Sequence, residues 1–449
     1  MSQRSIKNLV YFQSNNKKGQ TKSETSISEI KLQKLLETLS KQAMKEKTPS
    51  IEELESILQN SIRSLENEER SDSEIEKKTS EEGGTPVTKF LRKKGYLKDG
   101  KKWLTSRAFF DIGGKILQDV MKNLNSAEIG FHERNLTGQG NVLIDTTKKF
   151  EPGNDIKFLS VPKTLLNSIE RISKSNKKIS FPISIEPEDL EEFETLEDVR
   201  LAVVYCIDLS STMRYSLGKN GKSRIEAAKK ALWSLYVLNK KFFPSDSISV
   251  VGFASMASLV EPEDIPFLKT YDANENFLHY TNYQAAFRLA RKILSKISTP
   301  NKRIVMITDG QPSACFIDND YQKNEIISEK PYSNFYSPDK SVLSKVKEER
   351  NMKLDVNEGS LVYLCYSYKK VDPKINDRTL LEAKKCKRQG IEIDTIVVSE
   401  EQELLNYAQN LEKELKGRLY HINQENLDQV LVNDYLSKTR KVLRSTSRW

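Results

Sequence analysis

The sequence predicts an α/β protein whose C-terminal part is a doubly wound, mostly parallel, Rossmann-like sheet, preceded by a smaller α+β domain and a disordered or partly helical tail. Three observations lead there. From residue 199 onward, short apolar runs alternate with segments of helical period, the pattern of strands joined by crossover helices. Two of the runs, Leu201 to Ile207 and Ile304 to Ile307, are continuous rather than alternating, as in strands buried on both faces. A carboxylate closely follows each run, Asp208 and Asp309, and ligands of such sheets sit beyond the carboxyl ends of the strands.

Composition narrows the classes. The 449 residues suffice for two or three domains, but a hydrophobic share of 37% cannot fill all of them with core. A net charge of +9 supports solubility and mild affinity for acidic partners without singling out nucleic acid. The four cysteines (Cys206, Cys315, Cys365, Cys386) are scattered with no CxxC pair, which argues against a structural zinc site. Cys206 and Cys365 lie in apolar runs, where a reduced thiol packs as a small hydrophobe. No window approaches the ~18 to 20 apolar residues of a membrane span, and Leu9 to Phe12 is too brief for a secretory h-region. The expectation is a cytoplasmic protein in a reducing compartment.

Taken in order, residues 1–86 are a low-complexity tail rich in Ser, Lys, Glu, Gln and Asn, which buries too little to offset its ordering entropy. Within it Ile30, Leu32, Leu35, Leu36 and Leu39, then Ile51, Leu54, Ile57 and Leu58, recur at helical spacing, so one or two amphipathic helices are expected. Residues 87–185 hold enough apolar mass, Leu91, Trp103 and Phe109 included, for a small basic α+β domain. From Lys89 to Arg107 eight basic residues face a single Asp99, in a pattern that looks helix-turn-helix-like. Residues 186–198 carry eight acidic residues and no basic one. They read as a solvated acidic linker, with folding back onto the basic 89–107 face as the alternative.

The sheet domain spans 199–440. Its strands are expected at Leu201 to Ile207, Ser247 to Phe253, Ala257 to Val260, Arg303 to Thr308, Ile391 to Val398 and Arg418 to Ile422. Helices are expected at Ser223 to Asn239, Asn282 to Ile297, Arg378 to Gln389, Glu401 to Leu415 and Leu427 to Leu436, with Gly390 and Gly417 where C-caps belong. Residues 311–359 form a polar insertion directly after the second carboxylate, long enough to be functional or disordered. Ser360 to Tyr366 is either a further strand or part of that insertion, and a basic tail follows at 441–449.

Asp208, Ser210 and Thr212 alternate in the loop leaving the first strand, so their side chains can converge on one point. Hard oxygen donors of this kind select Mg²⁺, Mn²⁺ or Ca²⁺ rather than zinc. Adding Thr281 and Asp309 gives three hydroxyls and two carboxylates, a set that leaves one position of an octahedral ion open for a partner's Glu or Asp.

In this order and on an alternating sheet, Asp208-x-Ser210-x-Thr212, Thr281 and Asp309 resemble the metal-ion-dependent adhesion site of von Willebrand factor type A (vWA) domains. The resemblance covers residues 199 to about 440. A preceding domain, the run Ile304 to Ala314 and a C-terminal type A domain are together similar to prokaryotic cytosolic members associated with MoxR-type AAA+ ATPases. The resemblance implies that Ser210 and Thr212 bind Mg²⁺ directly, Thr281 directly or through water, and Asp208 and Asp309 through water. It also implies a protein-interaction module, an adaptor or recognition partner of an AAA+ ATPase in complex assembly or remodelling, and not an enzyme. Two departures stand out: Thr212 replaces the usual second serine, and Tyr280 precedes Thr281 where glycine is common, narrowing the approach to the metal.

Other chemistries fit less well. Asp208-x-Ser210-x-Thr212 has the spacing of haloacid-dehalogenase phosphatases, but Ser210 stands where a second aspartate must carry the proton. Gly218 to Ser223 resembles a phosphate loop, yet it lacks the first glycine, at Ser216, and starts well beyond the strand. His132, His279 and His421 lie near no hydrolase-like cysteine or serine. The alternative functions are nucleic-acid binding through residues 89–107 and, behind it, a metal-dependent phosphatase-like enzyme.

Overall fold

The leucines at helical spacing near the N-terminus fold as two helices, α1 (Glu24–Met44) and α2 (Ile51–Ser71), which pack on each other and bury Leu35, Leu36, Leu39, Leu54 and Leu58. Ser50 and Glu53 start α2 as a capping box: Glu53 N donates to Ser50 Oγ at 3.2 Å, and Ser50 N donates to Glu53 Oε2 at 2.9 Å. The computed structural model describes residues 24–45, 48–71, 87–124, 142–150, 156–175, 181–196, 200–216, 223–274, 276–299, 301–356, 359–367, 370–399, 401–415, 417–421 and 427–435. The expectations for residues 1–23, 72–86, 217–222 and 441–449 lie outside them.

The chain divides into two units, residues 1–112 and 113–449. In the first, helix α3 (Val87–Lys93) begins on α2, because Val87 N and Thr88 N each donate to the Glu55 carboxylate at 2.8 Å. Helices α1 and α2 are therefore part of a folded unit and not a tail. The small domain expected over 87–185 is split by the unit boundary, which falls within helix α4 (Ser106–Leu124). Between α3 and α4 the chain forms an isolated antiparallel bridge, Leu97 to Leu104, instead of the short turn of a helix-turn-helix. Lys89, Lys93, Lys94, Lys98 and Lys101 are exposed, and Arg92 pairs with Asp99 at 2.7 Å.

Beyond the rest of α4, the second unit continues with strand β1 (Val142–Lys149), helix α5 (Val161–Lys174) and strand β2 (Glu191–Leu196). Here the acidic-linker expectation fails. Strand β2 pairs antiparallel with β1 in a register that sets Lys148 opposite Glu192 and Lys149 opposite Glu191. The run from Glu191 to Leu196 is thus a ladder strand, with Lys149 directly across from Glu191, where opposite charges stabilise a pair. Asp189, just before β2, is buried and takes bonds from Arg171 Nη2 at 2.9 Å and Ser168 Oγ at 3.0 Å.

The central sheet has six strands in the order β11-β10-β6-β3-β4-β5. They are β3 (Leu201–Asp208), β4 (Ser247–Phe253), β5 (Ala257–Val260), β6 (Asn301–Thr308), β10 (Ile391–Val397) and β11 (Arg418–His421). All neighbours are parallel except the edge pair β4 and β5. Helices α6 (Arg224–Phe242), α7 (Tyr283–Leu294), α10 (Pro373–Arg388) and α11 (Gln402–Leu415) cover the sheet, which is why β3 is buried almost throughout. Residues 427–435 are helical as well. From β3 the chain moves outward through β4 and β5, then returns to β6 on the other side of β3. The winding reverses between β3 and β6, and a ligand crevice of such a sheet opens beyond the carboxyl ends of those two strands. Gly390 takes the left-handed φ of +73° expected of a helix cap. Gly417 serves a different need: a Cβ there would lie 2.0 Å from the Ile393 carbonyl oxygen.

The insertion is folded. It forms the antiparallel sheet β7-β9-β8 from β7 (Ala314–Ile317), β8 (Asn334–Tyr336) and β9 (Leu361–Leu364), with helices α8 (Asp320–Glu329) and α9 (Lys340–Arg350) between the first two strands and after β8. Strand β9 belongs to it, so it runs past residue 359. Asp355 N donates to Ala257 O at 2.7 Å, and this covers the exposed edge of β5.

Candidate functional site

Strands β3 and β6 are in register, Ile207 beside Ile307, so the residues that follow them emerge side by side. Asp208 ends β3, and Ser210 caps the 3₁₀ turn Ser211–Arg214 that brings Thr212 back over the strand end. Asp309 follows β6. Thr281 precedes Asn282, the N-cap of α7, whose side chain accepts from Ala285 N at 3.0 Å. Ser313, at the start of the insertion, holds that loop: its Oγ accepts from Thr281 N at 3.0 Å, and its N donates to Thr281 O at 2.8 Å.

The five expected residues come together. Ser210 and Thr212 hydroxyls are 3.1 Å apart, and Thr212 Oγ1 donates to Asp309 Oδ1 at 2.9 Å. A Cβ on Gly310 would lie 3.6 Å from Thr281 Oγ1 and 3.9 Å from Thr212 Oγ1, so the glycine keeps the space between those two hydroxyls open. Asp208 Oδ1 accepts from Ser210 N at 2.8 Å and Oδ2 from Thr308 Oγ1 at 2.7 Å.

Charge at the site is unbalanced. Asp208 is fully buried, and among the described residues no basic side chain pairs with it. Burial, then the nearby Asp309 carboxylate, push its carboxyl well above the usual carboxylate range. Burial raises Asp309 too, against the pull of the Arg224 guanidinium, whose Nη1 donates to Asp309 Oδ2. Two buried carboxylates, one guanidinium and a lining of hydroxyls form a hard-oxygen set of the kind that would suit a divalent cation. The residues therefore fit such an ion, with Ser210, Thr212 and Thr281 as hydroxyl donors and Asp208 and Asp309 as the anionic pair.

The sequence reasoning missed Thr308, Arg224 and Ser313. Thr308 could have been suspected from its place beside Asp309. The loop before Thr281 carries Phe277, whose ring lies 5.4 Å from that of Tyr336, and His279, whose ring lies 4.5 Å from that of Tyr280. The Tyr280 ring thus packs on that of His279, and through Tyr336 the insertion touches the loop that presents Thr281.

The doubly wound, mostly parallel sheet is the architecture of a vWA-like domain. Residues 201–344 match the family model described as "Rv0959-like protein, vWA domain", and this part of the chain is a vWA domain, a kind of protein-interaction module. The chain is 25% identical over 234 residues to "Uncharacterized protein Rv0959" of Mycobacterium tuberculosis (strain ATCC 25618 / H37Rv), a match covering 52% of this chain and 32% of that protein. The same figures hold for "Uncharacterized protein Mb0984" of Mycobacterium bovis (strain ATCC BAA-935 / AF2122/97), so the chain spans about a third of the length of these relatives. Among solved structures it is similar to the PilB minor pilin from Streptococcus sanguinis, with a TM-score of 0.38, 17% identity, and coverage of 59% of this chain and 67% of that one. It is also similar to the vWF domain of the type V pili tip protein Mfa5 from Porphyromonas gingivalis, with a TM-score of 0.33, 16% identity, and coverage of 54% and 96%. Among the described residues no helix is long and apolar enough to cross a membrane.

Proposed function

We propose that the vWA domain binds a divalent cation, Mg²⁺ in the first place and Mn²⁺ or Ca²⁺ as substitutes, through Asp208, Ser210, Thr212, Thr281 and Asp309. Once bound, the ion offers an open position to a Glu or Asp of a protein partner. The single observation that carries the reading is the buried Asp208 carboxylate, met by one hydroxyl, Thr308 Oγ1, and one backbone N–H and by no basic side chain among the described residues. Ser210, Thr212 and Thr281 supply the hydroxyl donors, Asp309 accepts from the Thr212 hydroxyl, and Asp208 accepts from Ser210 N and so holds the loop that carries them.

The chain then works as a Mg²⁺-dependent adaptor without catalysing a reaction, in the cytoplasm, as a recognition partner of an AAA+ ATPase of the MoxR type in assembly or remodelling. The ATPase link rests on the resemblance described above. Capture of partners from the native host by tagged full-length protein, with Mg²⁺ or with EDTA, tests the core of the reading. Asp208→Ala is expected to abolish Mg²⁺-dependent capture while keeping the unfolding midpoint in EDTA; capture that is equal in EDTA and Mg²⁺ sinks the proposal.

A further inference from the structure

Among the described residues, Arg224 is the buried charged side chain at the site that the five expected residues do not include, and the exposed Glu401 acts on Asp309 from outside. Arg224 is the first residue of α6, directly after the cap Ser223, and its side chain is only 9% exposed while that of Asp309 is 0% exposed. Its Nη1 donates to Asp309 Oδ2, and its Nε has no hydrogen-bond partner among the described residues. The placement is costly. A cation in the first turn meets the positive end of the helix dipole, and a buried charge with an idle donor is poorly compensated. A residue that merely started a helix would avoid both costs.

We propose that Arg224 is the resident counter-ion of the cation site: it holds Asp309 through the ion pair, weakens the grip on the divalent ion, and leaves the loaded site positive so that it selects an anionic group. The charges carry the argument. Among the buried groups, two carboxylates against one guanidinium leave one negative charge in their ionised forms, with the solvent-exposed Glu401 adding to it from outside. A divalent ion turns that into one positive charge, which a single incoming carboxylate cancels. Without Arg224 the loaded site is neutral, and the same carboxylate brings an unbalanced charge into a buried setting. Arg224 also keeps Asp309 oriented toward Thr212, whose hydroxyl donates to the other carboxylate oxygen. This inference rests on the cation reading above, and the test separates the two.

The measurement is calorimetric titration of Mg²⁺ into metal-stripped full-length protein, wild type and variants, with and without acetate as a minimal carboxylate probe. Unfolding midpoints in EDTA check folding. Arg224→Gln is expected to bind Mg²⁺ at least about tenfold more tightly, since a positive charge within a few ångströms of the ion is gone. Arg224→Lys keeps the charge and is expected to stay within about twofold of wild type. Acetate is expected to tighten Mg²⁺ binding in wild type and not in Arg224→Gln. Arg224→Met, which keeps the apolar stem, replaces the Gln variant if that one does not fold. Unchanged or weaker Mg²⁺ binding without the guanidinium, a gain in the Lys variant equal to that in the Gln variant, or an equal acetate effect on both proteins overturns the role of Arg224 and leaves the cation reading standing. If wild type and every variant fail to bind Mg²⁺, Mn²⁺ and Ca²⁺, the cation reading itself falls.

Discussion

Strand β6 carries a buried charge cluster at each end, and the two are built to opposite rules. At its start Arg303, 1% exposed, donates through Nε to Asp394 and through Nη1 to Asp434. Tyr420 OH adds a bond to Asp434 at 2.9 Å, and Arg418 N one to Asp394 at 2.9 Å, with the Arg418 guanidinium 3.8 Å from Asp434. Two carboxylates meet two guanidiniums, and the cluster is closed. At the other end two carboxylates meet one guanidinium, which reaches only Asp309 and leaves Asp208 to a hydroxyl and a backbone N–H. A cluster complete in itself ties β6, β10, β11 and the 427–435 helix together. A cluster short of one positive charge is left open, as the proposed cation reading requires.

The largest expected effect breaks the closed end. Arg303→Met keeps the volume but strands two buried carboxylates, and losing one partner of a buried ion cluster costs about 3–5 kcal/mol. Urea unfolding in EDTA measures it. Asp208→Asn, at the open end, removes an uncompensated charge and keeps the oxygen that accepts from Ser210 N, so no comparable loss is expected there. Equal losses for the two variants would erase the distinction between the ends.

Asp189 extends the comparison to a carboxylate that is compensated outside the sheet. Hydrogen bonds from Arg171 hold its carboxyl far below the usual range, to about 2, with Glu186 N and Ser168 contributing. A depressed carboxylate pKa stabilises the fold above the unfolded value of about 3.9, and that contribution is lost as pH falls from there through about 2. Asp189→Asn is therefore expected to cost about 1–2 kcal/mol at pH 7, a figure that already allows for screening at the partly exposed Arg171. The gap between variant and wild type in urea unfolding should close on acidification toward pH 2. A gap that persists there would mean that packing, not charge, holds the residue.

How far each region could be read from the sequence follows from the same physics. Strands β3 and β6 were legible because both faces are buried, which leaves an unbroken apolar run, and the loop after β3 carries its donors at fixed short spacing. Arg224 was not, because its partner Asp309 lies 85 residues away and a basic residue after a serine cap has no local signature. The β7 and β8 strands are four and three residues long, too short for an alternating pattern to register, whereas β9 falls within the Ser360 to Tyr366 run that was legible as a strand. The acidic run at 186–198 was misread for a related reason. Its charges look like a solvated stretch until the strand opposite is known, and that strand, with Lys148 and Lys149, lies more than forty residues earlier.

That misreading yields the smallest and most local test. Lys149 sits directly across the ladder from Glu191, whose carboxylate also accepts from Thr147 Oγ1 at 2.7 Å and Asn167 Nδ2 at 3.0 Å. Lys149→Glu places like charges opposite one another, which in an antiparallel pair costs about 0.2–1 kcal/mol, while Lys149→Gln removes only an exposed partner and should change stability by less. Raising the salt concentration should shrink the Glu penalty, since both carboxylates lie near solvent. If residues 186–198 were a solvated linker, neither substitution would move the urea midpoint at any salt concentration, so even a small, salt-sensitive difference between the Glu and Gln variants decides for a paired strand.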